Sequence, residues 1–343
     1  MKVLVTGAGG YTGSNLIAGL TDCDVLATDV RFAHPESPAA EDAVTVAGKD
    51  ASHAGRRQMR CDVRDRDALM RMFLDFRPDV VVHLASIVTP GKKSSRDFEY
   101  EVDVTGTQNV LDACVAAAVR RLIVTSSGAA YGYHADNPVP LKESDPVRGN
   151  YEFAYSYHKR LVEEMLARHT ATKRLPEIVI FRVGTILGQM TNNQITALFK
   201  KKALPGVKGS NSPFVFIWDQ DVIGAIRRAL TVDPAGRFIA PAGIFNLAGD
   251  GWMTIDEIAA RLKKPVRRWS PLLLKILFGI LKPIGVSRYG PEQVRFLQYR
   301  PVLDNARLKG VFGYVPQKTS AEAFDFFCKA QIDGTNGTSG TNG

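Results

Sequence analysis

Residues 2–13, KVLVTGAGGYTG, pass from a β-branched apolar run straight into a loop with glycines at 7, 9, 10 and 13. A short apolar run of this kind reads as a buried strand. Gly7, Gly10 and Gly13 then permit a tight turn, close approach of backbone N–H groups to a pyrophosphate, and close packing of the next helix. That helix, opening at Gly9, Gly10, Tyr11 and Thr12, turns its N-terminus toward the anion. A lone glycine triad is equally a plain turn, so its place between a strand and a helix carries the reading.

The second strand, DVLATDV, closes on Asp29 and Val30, with Arg31 next. A carboxylate at Asp29 can accept from ribose hydroxyls and would repel a 2′-phosphate, which favours NAD. The Arg31 guanidinium is a competing reader that keeps NADP open.

Further along, VVVHLAS (80–86), RLIVTSS (121–127) and EIVIFRVG (177–184) repeat the buried-strand pattern. Helical patterns at 13–21, 65–76 and 106–119 separate them. This alternation predicts an α/β fold, a Rossmann-type doubly wound parallel sheet with ligands at the carboxyl ends of the strands. Residues 1–180 form the expected dinucleotide-binding domain, with further sheet elements returning later, and 181–330 a mainly substrate-binding α/β region. The polar stretch 34–58 reads as a surface excursion between strands. Residues 331–343, ending in GTNGTSGTNG, read as a disordered tail or expression scar.

Composition is that of an ordinary globular protein: 343 residues, 45% hydrophobic and 23% charged. The net charge of +9 suits anionic partners such as a dinucleotide, a coenzyme thioester or a membrane surface. The basic residues are scattered, so no nucleic-acid partner is expected. Cys23, Cys61, Cys114 and Cys328 have no metal-type spacing, and no metal is expected. Reduced thiols and an opening that turns early to glycine place the chain in the cytoplasm.

The candidate chemistry lies in NYEFAYSYHKRLVEEML, residues 150–166, where three tyrosines precede one lysine. Apolar spacing predicts a helix, with Asn150 as its N-cap. On it Tyr155 and Lys159 are four apart and share a face. Tyr157 points elsewhere, and Tyr151 lies roughly 12 Å away along the axis. A free phenol has a pKa of about 10, and a neighbouring ammonium pulls it down, so Tyr155 is the candidate proton-transfer group. A chance pair on an amphipathic helix is the plainer alternative.

Taken in order, these motifs resemble the extended short-chain dehydrogenase/reductase family over residues 1 to about 325. That family includes nucleotide-sugar epimerases and dehydratases and the 3β-hydroxysteroid dehydrogenase-like reductases. CDVRD (61–65) is similar to the family's adenine-contacting segment, which implies roles for Asp62 and Val63. HLAS (83–86) resembles the segment lining the dinucleotide, implicating Leu84, Ala85 and Ser86. VTSSGAAYG (124–132) aligns Ser127 with the family's catalytic serine, and Tyr155 and Lys159 match its Tyr-x-x-x-Lys. The resemblance implies that Ser127 bonds the reacting oxygen, Tyr155 exchanges the proton, and Lys159 tunes the phenol and holds the nicotinamide ribose. Asp103, in DVTGTQNV, departs from the family's usual Asn.

Three positions bear on the substrate. Thr185 stands where sugar-nucleotide members carry a nucleotide-reading Asn. Phe214 falls where they carry a diphosphate-binding Arg, and Trp218 where they often have His. Phe214 and Trp218 either line the substrate or pack a core strand; in both cases no anion clamp is expected. The apolar segment SPLLLKILFGILKPIGV (270–286) carries Lys275 and Lys282 on one helix face. It is too short and charged to span a bilayer, and either lies on a membrane, covers a greasy substrate, or is buried in protein. The resulting expectation is an NAD-dependent oxidoreductase of a lipophilic secondary alcohol or ketone, steroid, terpenoid or acyl-derived, expected as a homodimer. A nucleotide-sugar epimerase or dehydratase is the alternative, and a non-catalytic dinucleotide sensor the reading from another class.

Overall fold

A computed structural model describes residues 1–32, 55–91, 94–281 and 290–337. The first half of the chain alternates as expected: β1 (Lys2–Thr6), α1 (Tyr11–Gly19), β2 (Asp24–Asp29), β3 (Arg56–Arg60), α2 (Arg66–Phe76) and β4 (Val80–His83). It continues through α3 (Arg96–Tyr100), α4 (Gly106–Ala116), β5 (Arg121–Ser127), α5 (Ala154–Ala171) and β6 (Glu177–Val183). The second half holds β7 (Thr185–Leu187), α6 (Gln194–Phe199), β8 (Leu204–Val207), β9 (Phe216–Trp218), α7 (Asp219–Leu230) and β10 (Gly243–Leu247). Last come α8 (Ile255–Leu262), β11 (Val266–Trp269), α9 (Pro271–Leu281), α10 (Gln293–Gln298) and α11 (Ser320–Gly337).

Seven strands form one parallel sheet in the order β10-β6-β5-β4-β1-β2-β3. The chain reverses its direction of travel across the sheet between β1 and β4, and a crevice opens there at the carboxyl ends. Both faces are covered, which is why the central strands are apolar throughout rather than alternating. Leu16 of α1 and Val222 and Ile226 of α7 pack one face with Val3, Val5 and Val82. Leu69 and Phe73 of α2, Val110 of α4 and Val162 and Leu166 of α5 pack the other. A second core, around Phe199, Phe216 and Phe324, joins α6, α8 and α11. β10 brings the later half of the chain back into the main sheet.

Three local expectations need correction, and a fourth gains a detail. β3 is an edge strand with the sequence RRQMR, so its polarity hid it within the 34–58 excursion; residues 33–54 lie outside the described residues. Asn150 does not cap α5, which starts at Ala154; its carboxamide oxygen is already taken by the Tyr133 N–H at 2.6 Å. α11 runs to Gly337, so helix occupies 331–337 where composition suggests a tail, and 338–343 lie outside the described residues. The helix expected from 106 is preceded by α3 and by a π-helical turn, Glu101–Thr105, which sets Asp103 beneath α5.

Buried polar bonds fix α5 on the sheet. The Glu163 carboxylate accepts from Arg182 at 2.7 Å and from the Ser126 hydroxyl at 2.5 Å. Charges this deeply buried require such satisfaction, and loss of one partner would leave the other uncompensated. At the helix start, the Ser156 hydroxyl donates to the Ala129 carbonyl at 2.6 Å and accepts from the Asn150 N–H. These bonds hold Tyr155 and Lys159 against the end of β5.

Candidate active site

The glycine loop is built with no spare volume. Gly7 has φ +69, and a Cβ there would meet the Ala85 nitrogen at 2.5 Å. A Cβ on Gly13 would lie 2.3 Å from the Gly7 carbonyl oxygen, and one on Gly9 would strike the Arg31 carbonyl. α1 therefore packs directly on the loop. Gly10 stands at its N-cap with no side-chain bond, leaving the first-turn N–H groups available to an anion. This cradle fits a dinucleotide pyrophosphate. Thr12 reaches the catalytic cavity, whereas the Tyr11 hydroxyl donates to Asp219 at 2.6 Å and fastens α1 to α7. Burial, reinforced by Asp219, pushes the Tyr11 phenol up to about 12.

Asp29 accepts from the Gly9 N–H at 3.0 Å and from the Arg31 N–H at 3.1 Å. It thus braces the loop at the edge where ribose hydroxyls would lie, with Val30 and Arg31 exposed beside it. Asp62 is clasped by the Arg64 side chain at 2.7 Å, whose hydrogen bond holds its carboxyl below the usual range. Val63 is buried against Gly106, so its contribution is packing of the groove floor. Leu84 and Ser86 line the cavity, and Ala85 presents its backbone to Gly7.

Ser127, Tyr155 and Lys159 converge on one cavity of about 580 Å³. Ser127 ends β5 and its hydroxyl accepts from the Ala129 N–H at 3.2 Å. The Lys159 ammonium lies 5.6 Å from the Tyr155 ring centroid and donates to the Thr125 carbonyl at 3.0 Å. Burial lowers its pKa, with Asp103 and Glu163 opposing. Burial raises the Tyr155 phenol to about 12, against the lowering effect of its hydrogen bond with Ser127. Desolvation, with Asp103 adding to it, sets the phenol, which corrects the expectation of a value depressed by the lysine. At neutral pH Tyr155 is consequently a protonated phenol in contact with Ser127. Tyr151 and Tyr157 meet edge-on at 5.2 Å and both pack on Arg96, away from this cavity.

Asp103 shapes the same site from below. Its buried carboxylate accepts from the Ser86 hydroxyl and the Ile87 N–H, each at 2.9 Å, and faces His158 at 3.3 Å. Burial pushes this carboxyl up, but His158, Lys159 and these N–H and O–H donors together hold it below the usual range. Its carboxylate thus ties the cofactor wall to the catalytic helix. His83, by contrast, is locked between Thr6 and Thr107, and burial drives it down to about 3, so it stays neutral.

On the substrate side the cavity is lined by Thr185, Ile186, Asn193, Gln194, Phe214, Phe296 and Arg300. Trp218 is absent from that wall: it packs on Phe326 under the Lys318 ammonium, because α11 covers the face of β9 from which it projects. The expected lack of a cation is also corrected. Arg300 enters from the irregular segment after α10, with its guanidinium 3.9 Å from the Phe214 ring centroid and 4.9 Å from that of Phe296. It donates one long hydrogen bond, 3.4 Å to the Leu297 carbonyl, and burial lowers its pKa to about 9. Phe214, read as the residue that displaced a cation, is the pedestal on which one rests. No periodicity flags Arg300; its neighbour Pro301 and the surrounding YRPVLD are the available cues.

The model of the NAD-dependent epimerase/dehydratase family matches residues 3–236. The chain belongs to that family. Among its relatives, an uncharacterized protein of Mycobacterium bovis is 25% identical over 336 residues, covering 96% of this chain and 84% of the relative. The UDP-glucose 4-epimerase of Erwinia amylovora is 33% identical over 170 residues, about half of each chain (48% and 48%). Among solved structures of the same fold, the Bordetella bronchiseptica enzyme WbmG in complex with NAD and UDP superposes with a TM-score of 0.69. It shares 19% identity and covers 96% of this chain and 94% of that one. The family motif runs through the glycine loop, Ser127, Tyr155 and Lys159, and stops before Arg300.

Proposed function

We propose that this protein is an NAD-dependent epimerase or dehydratase acting on a sugar carried by a nucleoside diphosphate. The observation that carries this reading is Arg300, a guanidinium without an acidic partner among the described residues, stacked on Phe214 and facing the cavity that holds Ser127 and Tyr155. A partly buried cation in this position is stabilised by an anionic ligand, and its planar fork matches a phosphate. The family and the epimerase relative support the same reading.

The glycine loop, Asp29 and the wall from Leu84 to Ser86 would hold NAD, which when bound supplies the hydride chemistry. Ser127 would then hydrogen-bond the oxygen of the reacting carbon and orient it toward Tyr155. Tyr155 would give its phenolic proton to the substrate oxygen as the carbonyl is reduced and, as the phenolate, take that proton back when the alcohol is oxidised. Lys159, held by the Thr125 carbonyl, keeps a positive charge beside the phenolate that arises. Thr185 and Asn193 offer hydroxyl and amide groups for the sugar or base.

A second reading, a dehydrogenase of lipophilic secondary alcohols, draws on Phe214, Phe296, Ile186 and Ile195 in the same lining. Titration of UDP and UDP-glucose into the NAD-loaded protein separates the two. The expected result is binding that weakens with salt and falls at least about tenfold in Arg300→Ala, the loss of a charge-assisted contact. NAD affinity should be unchanged in that variant. If UDP fails to bind while affinity climbs along a series of longer secondary alcohols, the lipophilic reading replaces this one.

A further inference from the structure

α9 presents two opposed apolar faces. Leu274, with Phe278, packs against Val207, Val294 and Leu297, which seats the helix on β8 and α10. On the opposite arc Leu272, Leu273, Ile276, Leu277 and Ile280 are 67%, 48%, 52%, 41% and 59% exposed. At about 100° per residue these five side chains span an arc of roughly 140° with no polar residue among them. Solvated helices of globular proteins place charge on such a face. This one carries aliphatic side chains instead, and an exposed contiguous apolar patch marks an interaction surface.

The segment that leads into the patch, and the helix that bears it, carry only cations among their charged residues. Residues 263–281 contain Lys263, Lys264, Arg267, Arg268 and Lys275 and no acidic residue. Lys264 is tied to the Phe199 carbonyl and Arg268 to Asp256. Lys263, Arg267 and Lys275 are exposed. In β11, Arg267 and Trp269 point to the same side, and the Trp269 carbonyl accepts from the N–H of exposed Lys208. Trp269 is itself 42% exposed at the head of α9. An aliphatic arc with an aromatic residue at one end and cations around it is the pattern of a helix that lies in a bilayer interface.

We propose that α9, with Trp269 and the cations around it, seats this protein on anionic lipid bilayers. The helix would lie in the plane of the interface, its five aliphatic side chains at the acyl boundary and Lys263, Arg267 and Lys275 among the headgroups. Among the described residues no helix is long and apolar enough to cross a membrane, so the contact is one of surface seating. A second copy of the chain fits this face less well. A two-fold contact would bring two sets of these cations together, and like charges oppose that pairing.

The test uses the full chain loaded with NAD and vesicles of phosphatidylcholine, with or without phosphatidylglycerol, in a flotation assay. Binding should require phosphatidylglycerol, weaken as salt is raised, and fall at least about tenfold in the double variant Ile276→Glu, Ile280→Glu. Arg267→Glu with Lys275→Glu should remove the preference for anionic lipid. An unchanged thermal midpoint and unchanged NAD binding establish that the variants are folded, and neither depends on the substrate reading above. Two results overturn the proposal. One is absence of lipid-dependent flotation in the wild type. The other is a wild-type dimer that the Ile276→Glu, Ile280→Glu variant turns into a monomer, which assigns the face to a second copy.

Discussion

Across the catalytic cavity, the wall made by the glycine loop and the ends of β1, β4 and β5 consists largely of backbone. Its contacts are N–H groups and carbonyls, and at Gly7, Gly9 and Gly13 an added Cβ would collide with main-chain atoms. The opposite wall consists of side chains: Thr185, Asn193, Phe214, Phe296 and Arg300, drawn from segments spread over more than a hundred residues. The first wall can be filled in one way, and it suits a ligand that does not vary. The second can change one side chain at a time without disturbing the sheet, and there a substrate preference can be rewritten on an unchanged cofactor site.

Substitutions at five positions, with two neighbouring tyrosines as controls, sharpen or break this contrast. Tyr155, where the walls meet, should give the largest effect. Tyr155→Phe is expected to lower turnover by about 10²- to 10⁴-fold, the scale of a lost general acid–base group, while NAD affinity is retained. Tyr151→Phe and Tyr157→Phe should keep most activity, measured as initial rates of sugar-nucleotide conversion by chromatography of the product. An inactive Tyr157→Phe would reassign the proton donor.

Gly13→Ala comes next. The added methyl collides with the Gly7 carbonyl, and a strain on the order of 2 kcal/mol should weaken NAD about thirtyfold by calorimetry. Phe214→Ala, on the other wall, should leave NAD affinity alone and weaken the substrate-side ligand. Equal losses of NAD affinity in both variants would erase the distinction. Asp29→Ala should shift the ratio of binding affinities for NAD and NADP about tenfold toward NADP, through one lost carboxylate contact. A wild-type preference for NADP would instead make Arg31 the reader.

The smallest effect is expected at Asp103. Its carboxyl is held below the ordinary aspartate value, so its charge stabilises the fold above that value, and the stabilisation is lost as pH falls through the lowered one. Asp103→Asn should therefore be less stable than wild type near neutral pH by on the order of 1 kcal/mol. Denaturant titrations should show that gap closing in acid. A gap that persists unchanged at low pH would mean that shape, rather than charge, holds the cofactor wall to α5.

How far the sequence disclosed all this follows from the same contrast. The run from Lys2 to Asp29 was legible because strand, loop, helix and carboxylate follow one another within thirty residues, each dictated by local backbone chemistry. Tyr155 and Lys159 were legible because one helical turn brings them together. Arg300 was not: it meets Phe214 only through tertiary packing, and neither residue announces the other along the chain. The same holds for β3, whose arginines suit an edge strand and leave no apolar pattern. Asn150 misled because its side chain satisfies the Tyr133 N–H across a turn instead of its own helix. The phenol of Tyr155 could be placed from spacing, but its elevated pKa depends on a desolvation that only the folded cavity imposes.

The stacking of Arg300 carries a consequence for the rate of recognition. An arginine side chain free in solution samples many rotamers, about 2 kcal/mol of disorder that a ligand must normally quench. Here two rings restrict the guanidinium before any anion arrives, at 3.9 and 4.9 Å from their centroids. The arriving group meets an oriented fork, and the remaining barrier is the shedding of the anion's own water. Under the proposed reading, selectivity at this wall then rests on how readily a ligand gives up hydration and how well its oxygens match the planar fork.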